Sequence, residues 1–174
     1  MSISDEIEEH CRIGSLIRFE ASGNPRAHEL DETTFRKLYI TRGIHSFLAS
    51  DRHFVEDTRA DFSDFAYGEM IKVALHLDHI LCFLARLEPP QDEIWELRIY
   101  DTEPQLRFFG RFAERDTFVA LMGPTEKSRF FRPKIDHNKI KRACIAEWNR
   151  LFNSPALSKG DDIDAYLSGN FDLA

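Results

Sequence analysis

Three arginines in residues 94–121 are the side chains best suited to chemistry in this chain: Arg98, Arg107 and Arg111. Apolar and polar residues alternate around them, so all three are predicted on the outward face of neighbouring β-strands. Guanidinium groups placed side by side repel one another, and each offers a planar fork of N–H donors that suits phosphate or carboxylate. The cluster therefore predicts a site for an anion. The alternative is a solvated sheet face on which Glu96 pairs with these arginines.

The stretch that holds the arginines is predicted to form three short strands joined by two tight turns. The first two strands place one set of apolar residues on the inner face: Trp95, Leu97, Ile99, Leu106, Phe108 and Phe112. The third, 117–121, is nearly all apolar and is predicted to be buried on both faces. The polar connections 101–104 and 113–116 have the length of hairpin turns. The simplest topology is an antiparallel meander.

A basic segment follows the third strand. Residues 127–150 contain eight Lys and Arg but two carboxylates, a net charge of +6, although the whole chain carries −7. Phe130 and Phe131 lie among the basic residues, and cations with aromatic side chains are typical of RNA binding. The candidate RNA-binding residues are Arg111, Arg129, Arg132, Lys134, Lys139 and Arg142. The alternative is a solvated loop whose phenylalanines pack into the core.

Both ends of the chain are acidic. Residues 1–10 and 161–174 each carry a net charge of −4. Because opposite charges attract, one end is predicted to lie across the basic segment in the free protein and to weaken RNA binding. The alternative is that the ends only improve solubility.

Two amphipathic segments are predicted to support the meander. Apolar residues recur at steps of three and four from 65 to 88, which predicts a long helix capped by Asp64 and ended by Pro89 and Pro90. A second helix is predicted over 139–152, with an apolar stripe of Ile140, Cys144, Trp148 and Leu151. A third is predicted to start at Ser50.

The remaining segments have weaker patterns. Residues 16–21 are predicted as a short strand. Two alternatives stay open for 33–41, a helix capped by Thr33 or Thr34 or a strand over 38–41. The tail at 163–167 is predicted as either a short helix or a mobile end.

Composition indicates one domain with its own core. The chain has 174 residues, of which 43% are hydrophobic and 30% charged, and its fifteen phenylalanines predict an aromatic core. We divide it into an N-terminal extension (1–49), an α+β core (50–152) and an acidic tail (153–174). Three cysteines without a CxxC pattern indicate reduced thiols in the cytoplasm. The sequence predicts neither a signal peptide nor a membrane span.

The histidines offer further candidate chemistry. His76 and His79 would share a face of the predicted long helix and could bind a metal, but no third ligand is evident, so a structural role is favoured and no metal is expected. His137 could act as a general base, and the alternative is a helix-start residue without a catalytic role.

Several short motifs occur in the order helix, meander, basic loop and terminal helix. They are Trp95-Glu96-Leu97-Arg98, Leu106-Arg107-Phe108, Phe118-Val119-Ala120-Leu121 and the loop residue Lys127. This arrangement resembles the RelE/ParE toxin superfamily, most closely its HigB-like, phage-derived branch. The resemblance covers roughly residues 50–152 and implies a small antiparallel β-meander packed against helices, with residues 1–49 as an extension.

The resemblance also implies a function. It implies a cytoplasmic toxin that cleaves mRNA at the ribosome without a metal or other cofactor, and whose partner is an antitoxin protein. A ribose 2′-hydroxyl would attack the adjacent phosphate while protein cations stabilise the phosphorane. The catalytic residues implied are Arg107, as the phosphate clamp, with Lys127 and Arg98. The rival is a non-enzymatic, protein-binding module or inactive homologue on the same scaffold. The oligomeric state stays open.

Overall fold

The computed structural model describes residues 1–21, 36–50, 54–76, 81–102, 105–124 and 136–174. The helices in these ranges are α1 (Ile3–Arg12), α2 (Arg42–Leu48), α3 (Phe54–Tyr67) and α4 (His137–Leu151), with short 3-10 helices at Pro90–Asp92 and Ile163–Ala165. The strands are β1 (Leu16–Arg18), β2 (Lys37–Thr41), β3 (Ile71–Ala74), β4 (Leu84–Arg86), β5 (Trp95–Ile99), β6 (Leu106–Glu114), β7 (Thr117–Met122) and β8 (Phe171–Leu173).

All eight strands belong to one mixed sheet in the order β1-β2-β7-β6-β5-β4-β3-β8. The pairs β2–β7, β3–β4 and β3–β8 are parallel, and the other four are antiparallel. Helices α2 and α3 pack in the core on one face, whereas α1 and α4 pack on the other. The fold is therefore α+β, as predicted, but the sheet is larger than the small antiparallel meander expected.

The predicted meander forms the three strands β5, β6 and β7. Leu97 pairs with Phe108, and Phe112 pairs with Phe118. A turn at Arg115 and Asp116 joins β6 to β7, with Asp116 in the left-handed region at φ +58°. The burial of the predicted inner face is confirmed, because its six residues are all at most 1% exposed: Trp95, Leu97, Ile99, Leu106, Phe108 and Phe112. The expected solvated face is wrong for β5 and for Phe109, which are buried on the other side as well.

The prediction of a long helix over 65–88 is wrong. Helix α3 ends at Tyr67, and Gly68 follows with φ +77°, a conformation that commonly ends helices. The chain then forms β3 and β4, which pair in parallel. Their residues are mostly buried, and a short, continuous apolar strand cannot be distinguished from a buried helix by periodicity alone. Asp64, the predicted cap, lies inside α3.

Three other predicted elements are present in the structure. The helix expected after Ser50 is α3, in which Phe54, Val55 and Thr58 are buried. The strand alternative for 38–41 is confirmed by β2, while Thr33 and Thr34 lie outside the described residues. Helix α4 buries the predicted stripe of Ile140, Cys144, Trp148 and Leu151, and the Asp136 side chain caps its first turn by accepting from the Lys139 amide at 3.1 Å.

Both acidic ends belong to the folded structure. The N-terminus forms α1, which Ser2 and Asp5 cap reciprocally, and Glu6 accepts hydrogen bonds from the amides of Asn153 and Ser154. The tail forms the short helix at Ile163–Ala165, buries Tyr166 and Leu167, and adds β8 beside β3. Residues 1–49 and 153–174 therefore contribute strands to the same sheet as residues 50–152.

Candidate functional site

The predicted arginine cluster contains its own anion. The register of β5 and β6 places Arg98 opposite Arg107, with Glu96 two residues before Arg98. One carboxylate oxygen of Glu96, Oε2, accepts from Arg98 Nε at 3.1 Å, and the other, Oε1, accepts from Arg107 Nη1 at 2.5 Å. Glu96 is completely buried. The Glu96–arginine pairs of the alternative interpretation are therefore present, but on a covered part of the sheet.

Only one of the two paired arginines reaches solvent. Arg98 is 6% exposed, and its Nη1 lies 3.3 Å from the sulfur of Cys82, so its predicted place on an outward face is wrong. All five residues of β5 are buried, and Cys82, in the segment before β4, covers the Arg98 guanidinium. The Arg107 side chain retains 29% exposure. Arg107 is thus the member of the pair that can touch a ligand.

Arg111 does not join this pair. It lies four residues further along β6, which corresponds to about 13 Å on an extended strand. Its Nη2 donates to the carbonyl of Asp92 at 2.8 Å, and its guanidinium lies 5.4 Å from the centre of the Trp148 ring. Burial lowers the pKa of Arg111. Its observed contacts are with α4 and the Pro90–Asp92 helix.

The predicted RNA-binding residues of α4 are accessible. Lys139 and Arg142 are both exposed, on the first turns of the helix. Their neighbour Lys141 is buried, with Nζ 3.5 Å from a carboxylate oxygen of Asp92. Lys127, Arg129, Arg132 and Lys134 lie outside the described residues, as do Phe130 and Phe131, so their roles stay predictions.

Residues on both sides of 125–135 lie against the two phenylalanines that follow Arg107 on β6. Before the segment, Met122 pairs with Phe109, and a Cβ atom on Gly123 would lie only 2.4 Å from the ring of Phe108. After the segment, the ring of His137 lies 6.5 Å from that of Phe109. Phe108 and Phe109 directly follow Arg107 on β6. The residues on both sides of this stretch therefore contact the strand neighbours of Arg107.

A pocket of about 370 Å³ lies beside the buried side of the cluster. Its lining includes Asp61, Met70, Leu81, Tyr100 and Cys82, whose sulfur also contacts Arg98. Burial, and then the nearby carboxylates, raise the pKa of Asp61 to about 6. The sequence interpretation missed this pocket because it assigned 65–88 to one helix, whereas α3, β3 and the segment before β4 form the walls.

The other candidate residues show no catalytic grouping. His76 follows β3 rather than lying on a helix, and its Nδ1 is 3.2 Å from Glu88 Oε1; His79 lies outside the described residues. Among the described residues, no group of three or more His, Cys, Asp or Glu side chains could hold a metal. His137 begins α4, and its buried Nε2 has no hydrogen-bond partner within the described ranges. Burial raises the pKa of the Cys144 thiol to about 12, as expected for a core residue.

Comparison with known proteins assigns neither a family nor a function: no family model, curated protein or solved structure matches the chain. None of the helices in the described ranges is long and apolar enough to span a bilayer. Any functional assignment must therefore come from the residues and their geometry.

Proposed function

We propose that this protein is a toxin of the toxin–antitoxin type, or a derivative of one, that cleaves mRNA at the ribosome by metal-independent chemistry. The observation that carries the proposal is the position of Arg107. Its guanidinium is held on the sheet by a buried carboxylate and remains partly exposed, and the next two residues on β6 contact residues on both sides of 125–135. These features support a role for Arg107 as a phosphate ligand, with the basic segment guiding RNA.

The charge of the cluster suits a phosphodiester. Two guanidinium groups and one carboxylate leave a net charge of +1, which matches the single negative charge of an RNA linkage. A guanidinium has five N–H donors, and Glu96 accepts from one of those on Arg107. The remaining donors can face a phosphate and strengthen their contacts as negative charge builds up on the phosphorane.

The basic segment supplies the second part of the proposal. Lys139 and Arg142 are exposed on α4, and residues 127–134 add four cations to the sequence that precedes this helix. Neutralisation of phosphates by such residues would hold the strand, with Lys127 as a second catalytic cation. An antitoxin is the proposed protein partner, and it would cover the same basic surface.

One observation favours the rival, a non-enzymatic binding module or inactive homologue. The carboxylate of Glu96 already engages both Arg98 and Arg107, so these three side chains are also a satisfactory structural ion-pair network. In that case the partner would be another protein, and removal of the Arg107 guanidinium would have no effect on the amount of RNA cleaved.

The experiment is expression from a tightly controlled promoter, with growth and cleavage of mRNA measured in the same cells. We expect the parent protein to inhibit growth, and Arg107→Ala to reduce cleavage on the order of 100-fold, as for loss of one donor to a developing oxyanion. Arg107→Lys should restore little activity because Lys lacks the planar fork. Arg59→Ala removes an exposed guanidinium from α3 and serves as the control. Full cleavage by folded Arg107→Ala would exclude Arg107, and a parent that neither inhibits growth nor cleaves RNA would favour the rival.

A further inference from the structure

We infer that Glu96 is a positioning residue for Arg107: it fixes the direction of the exposed guanidinium without touching the RNA. This inference rests on the proposed function, because it assigns a role within the same site. It also changes the role implied for Arg98, from a phosphate ligand to a support of Glu96.

The geometry leaves Glu96 little freedom. Its side chain is completely buried, and its two oxygens are used by different arginines, one on its own strand and one on the neighbouring strand. Arg98 is itself 6% exposed and in contact with Cys82, so it provides a fixed anchor for Oε2. With Oε2 held, Oε1 has a defined position, and Arg107 Nη1 donates to it at 2.5 Å.

Arg107 needs such an anchor because its own side chain is long and partly in water. An exposed arginine samples many rotamers, and ordering a flexible side chain at the moment of reaction slows catalysis. A bond at Nη1 keeps the guanidinium plane fixed while its other N–H groups face outward. A preorganised donor of this kind stabilises a transition state more than a ground state.

Glu96→Met separates positioning from attraction of RNA. The change removes one negative charge, so the cluster goes from a net +1 to +2, and RNA should bind equally well or more tightly at low salt. At the same time, Arg107 loses its acceptor at Nη1 and its fixed direction, so turnover should fall. Misplacement of a catalytic group by about 1 Å can cost on the order of 100-fold in rate. Unchanged or tighter binding together with slower cleavage is thus the expected signature.

A purely structural role for Glu96 would be to neutralise the buried charge of Arg98. The double variant Glu96→Met with Arg98→Met tests this, because it removes the buried cation together with every hydrogen-bond acceptor of the Glu96 side chain. If Glu96 served only Arg98, the double variant would recover both stability and cleavage. If Glu96 positions Arg107, stability should recover while cleavage stays low.

The experiment compares four full-length proteins: the parent, Glu96→Met, the double variant, and Glu56→Gln as a control for loss of an exposed carboxylate, which lies on α3. Single-turnover cleavage and affinity are measured with one short RNA, and thermal unfolding checks the fold. In parallel, NMR of the Arg107 guanidinium N–H groups reports its rotation without any RNA. We expect restricted rotation in the parent and in Glu56→Gln, and free rotation in both proteins that lack Glu96.

The outcomes separate the inference from the function on which it rests. Recovery of cleavage by the double variant, or unchanged Arg107 rotation without Glu96, would overturn the inference. If Arg107→Ala cleaves RNA as fast as the parent, the proposed catalytic role fails, whereas the NMR comparison still decides whether Glu96 holds Arg107. Parallel loss of binding and turnover in Glu96→Met, with both restored in the double variant, would assign Glu96 to stability alone.

Discussion

The carboxylate of Asp161 accepts a hydrogen bond from Arg86, an arginine that is completely buried in β4. The same guanidinium lies 5.7 Å from the centre of the Trp95 ring, and it also donates to the carbonyl of Gly160. The start of the acidic tail is therefore bound to the core of the sheet. The described contacts of the tail are with β4, β3 and the core. That an acidic end lies across the basic segment stays a prediction, because residues 125–135 are outside the described residues.

Deletion of residues 160–174 should prevent folding instead of strengthening RNA binding. It removes Ile163, Tyr166 and Leu167 from the core, and burial of one large apolar side chain contributes about 1.5–3 kcal/mol. Three such losses approach the total stability of a small domain, about 5–15 kcal/mol. Circular dichroism and gel filtration would show this, with deletion of residues 171–174 alone as the milder control. A folded 1–159 protein that binds RNA more tightly would instead support the hypothesis that the acidic tail weakens RNA binding.

Gly110→Ala should be strongly destabilising. Gly110 lies where the register of β6 against β7 is irregular, and a Cβ atom there would be 2.0 Å from the carbonyl oxygen of Val119. Because the clash is with backbone, the strands must separate, and we expect a loss of about 3 kcal/mol in the free energy of unfolding. Urea denaturation measures it. Gly169→Ala, which meets no atom within 4 Å, is the control, and equal midpoints for the two variants would contradict the prediction.

Leu106→Ala should cost about 2–5 kcal/mol in the free energy of unfolding, because the side chain is 1% exposed and its removal leaves a cavity. Leu81→Ala deletes the same atoms from a residue that is 70% exposed, and should change stability by less than about 0.5 kcal/mol. Urea titrations of both variants test the difference. Similar losses from the two would mean that Leu106 does not support the meander.

Asp61→Asn should stabilise the protein above about pH 7 and have little effect near pH 4. The pKa of Asp61 is raised to about 6, first by burial and then by Asp101, Asp64 and Asp57. Folding therefore favours the protonated form of Asp61. The stabilisation that this form provides is complete below the unfolded pKa of about 3.9 and is lost as the pH rises through about 6. We expect a gain on the order of 1 kcal/mol, because solvent screens a half-buried carboxylate. Thermal unfolding across pH measures it, with the exposed Asp162→Asn as control, and a gain of equal size at pH 4 would disprove this explanation.

The sequence predicted those parts of the fold whose signal is local. Alternation around Trp95 and Phe108 identified β5 and β6, because the pattern of two neighbouring strands is contained in about twenty residues. The helix predicted over 65–88 failed because Val73 and Leu84 belong to strands that are buried by distant partners, including β8 at the end of the chain. Such burial leaves no periodic signal in the sequence itself.

In the candidate site, too, the sequence predicted the features with a local signal and missed those that depend on distant strands. Arg107 was identified from its strand position, and the spacing of Glu96 and Arg98 contained the signal for their ion pair. The burial of Arg98 was not predictable, because it depends on β4, which had been assigned to a helix. For the same reason the pocket beside Cys82 was missed.

The parallel pairing of β2 with β7 has a consequence for the order of folding. Thr41 donates to the carbonyl of Leu121, 80 residues away along the chain, whereas β6 and β7 are joined by a tight turn. Closing so long a loop costs entropy before any contact is made, so the hairpin should form first and β2 should dock later. During synthesis, β2 can pair with β1, but Leu38 and Ile40 must wait for their β7 partners until Phe118 and Ala120 have left the ribosome. Pulsed hydrogen exchange during refolding should accordingly protect the amides of β6 before those of β2.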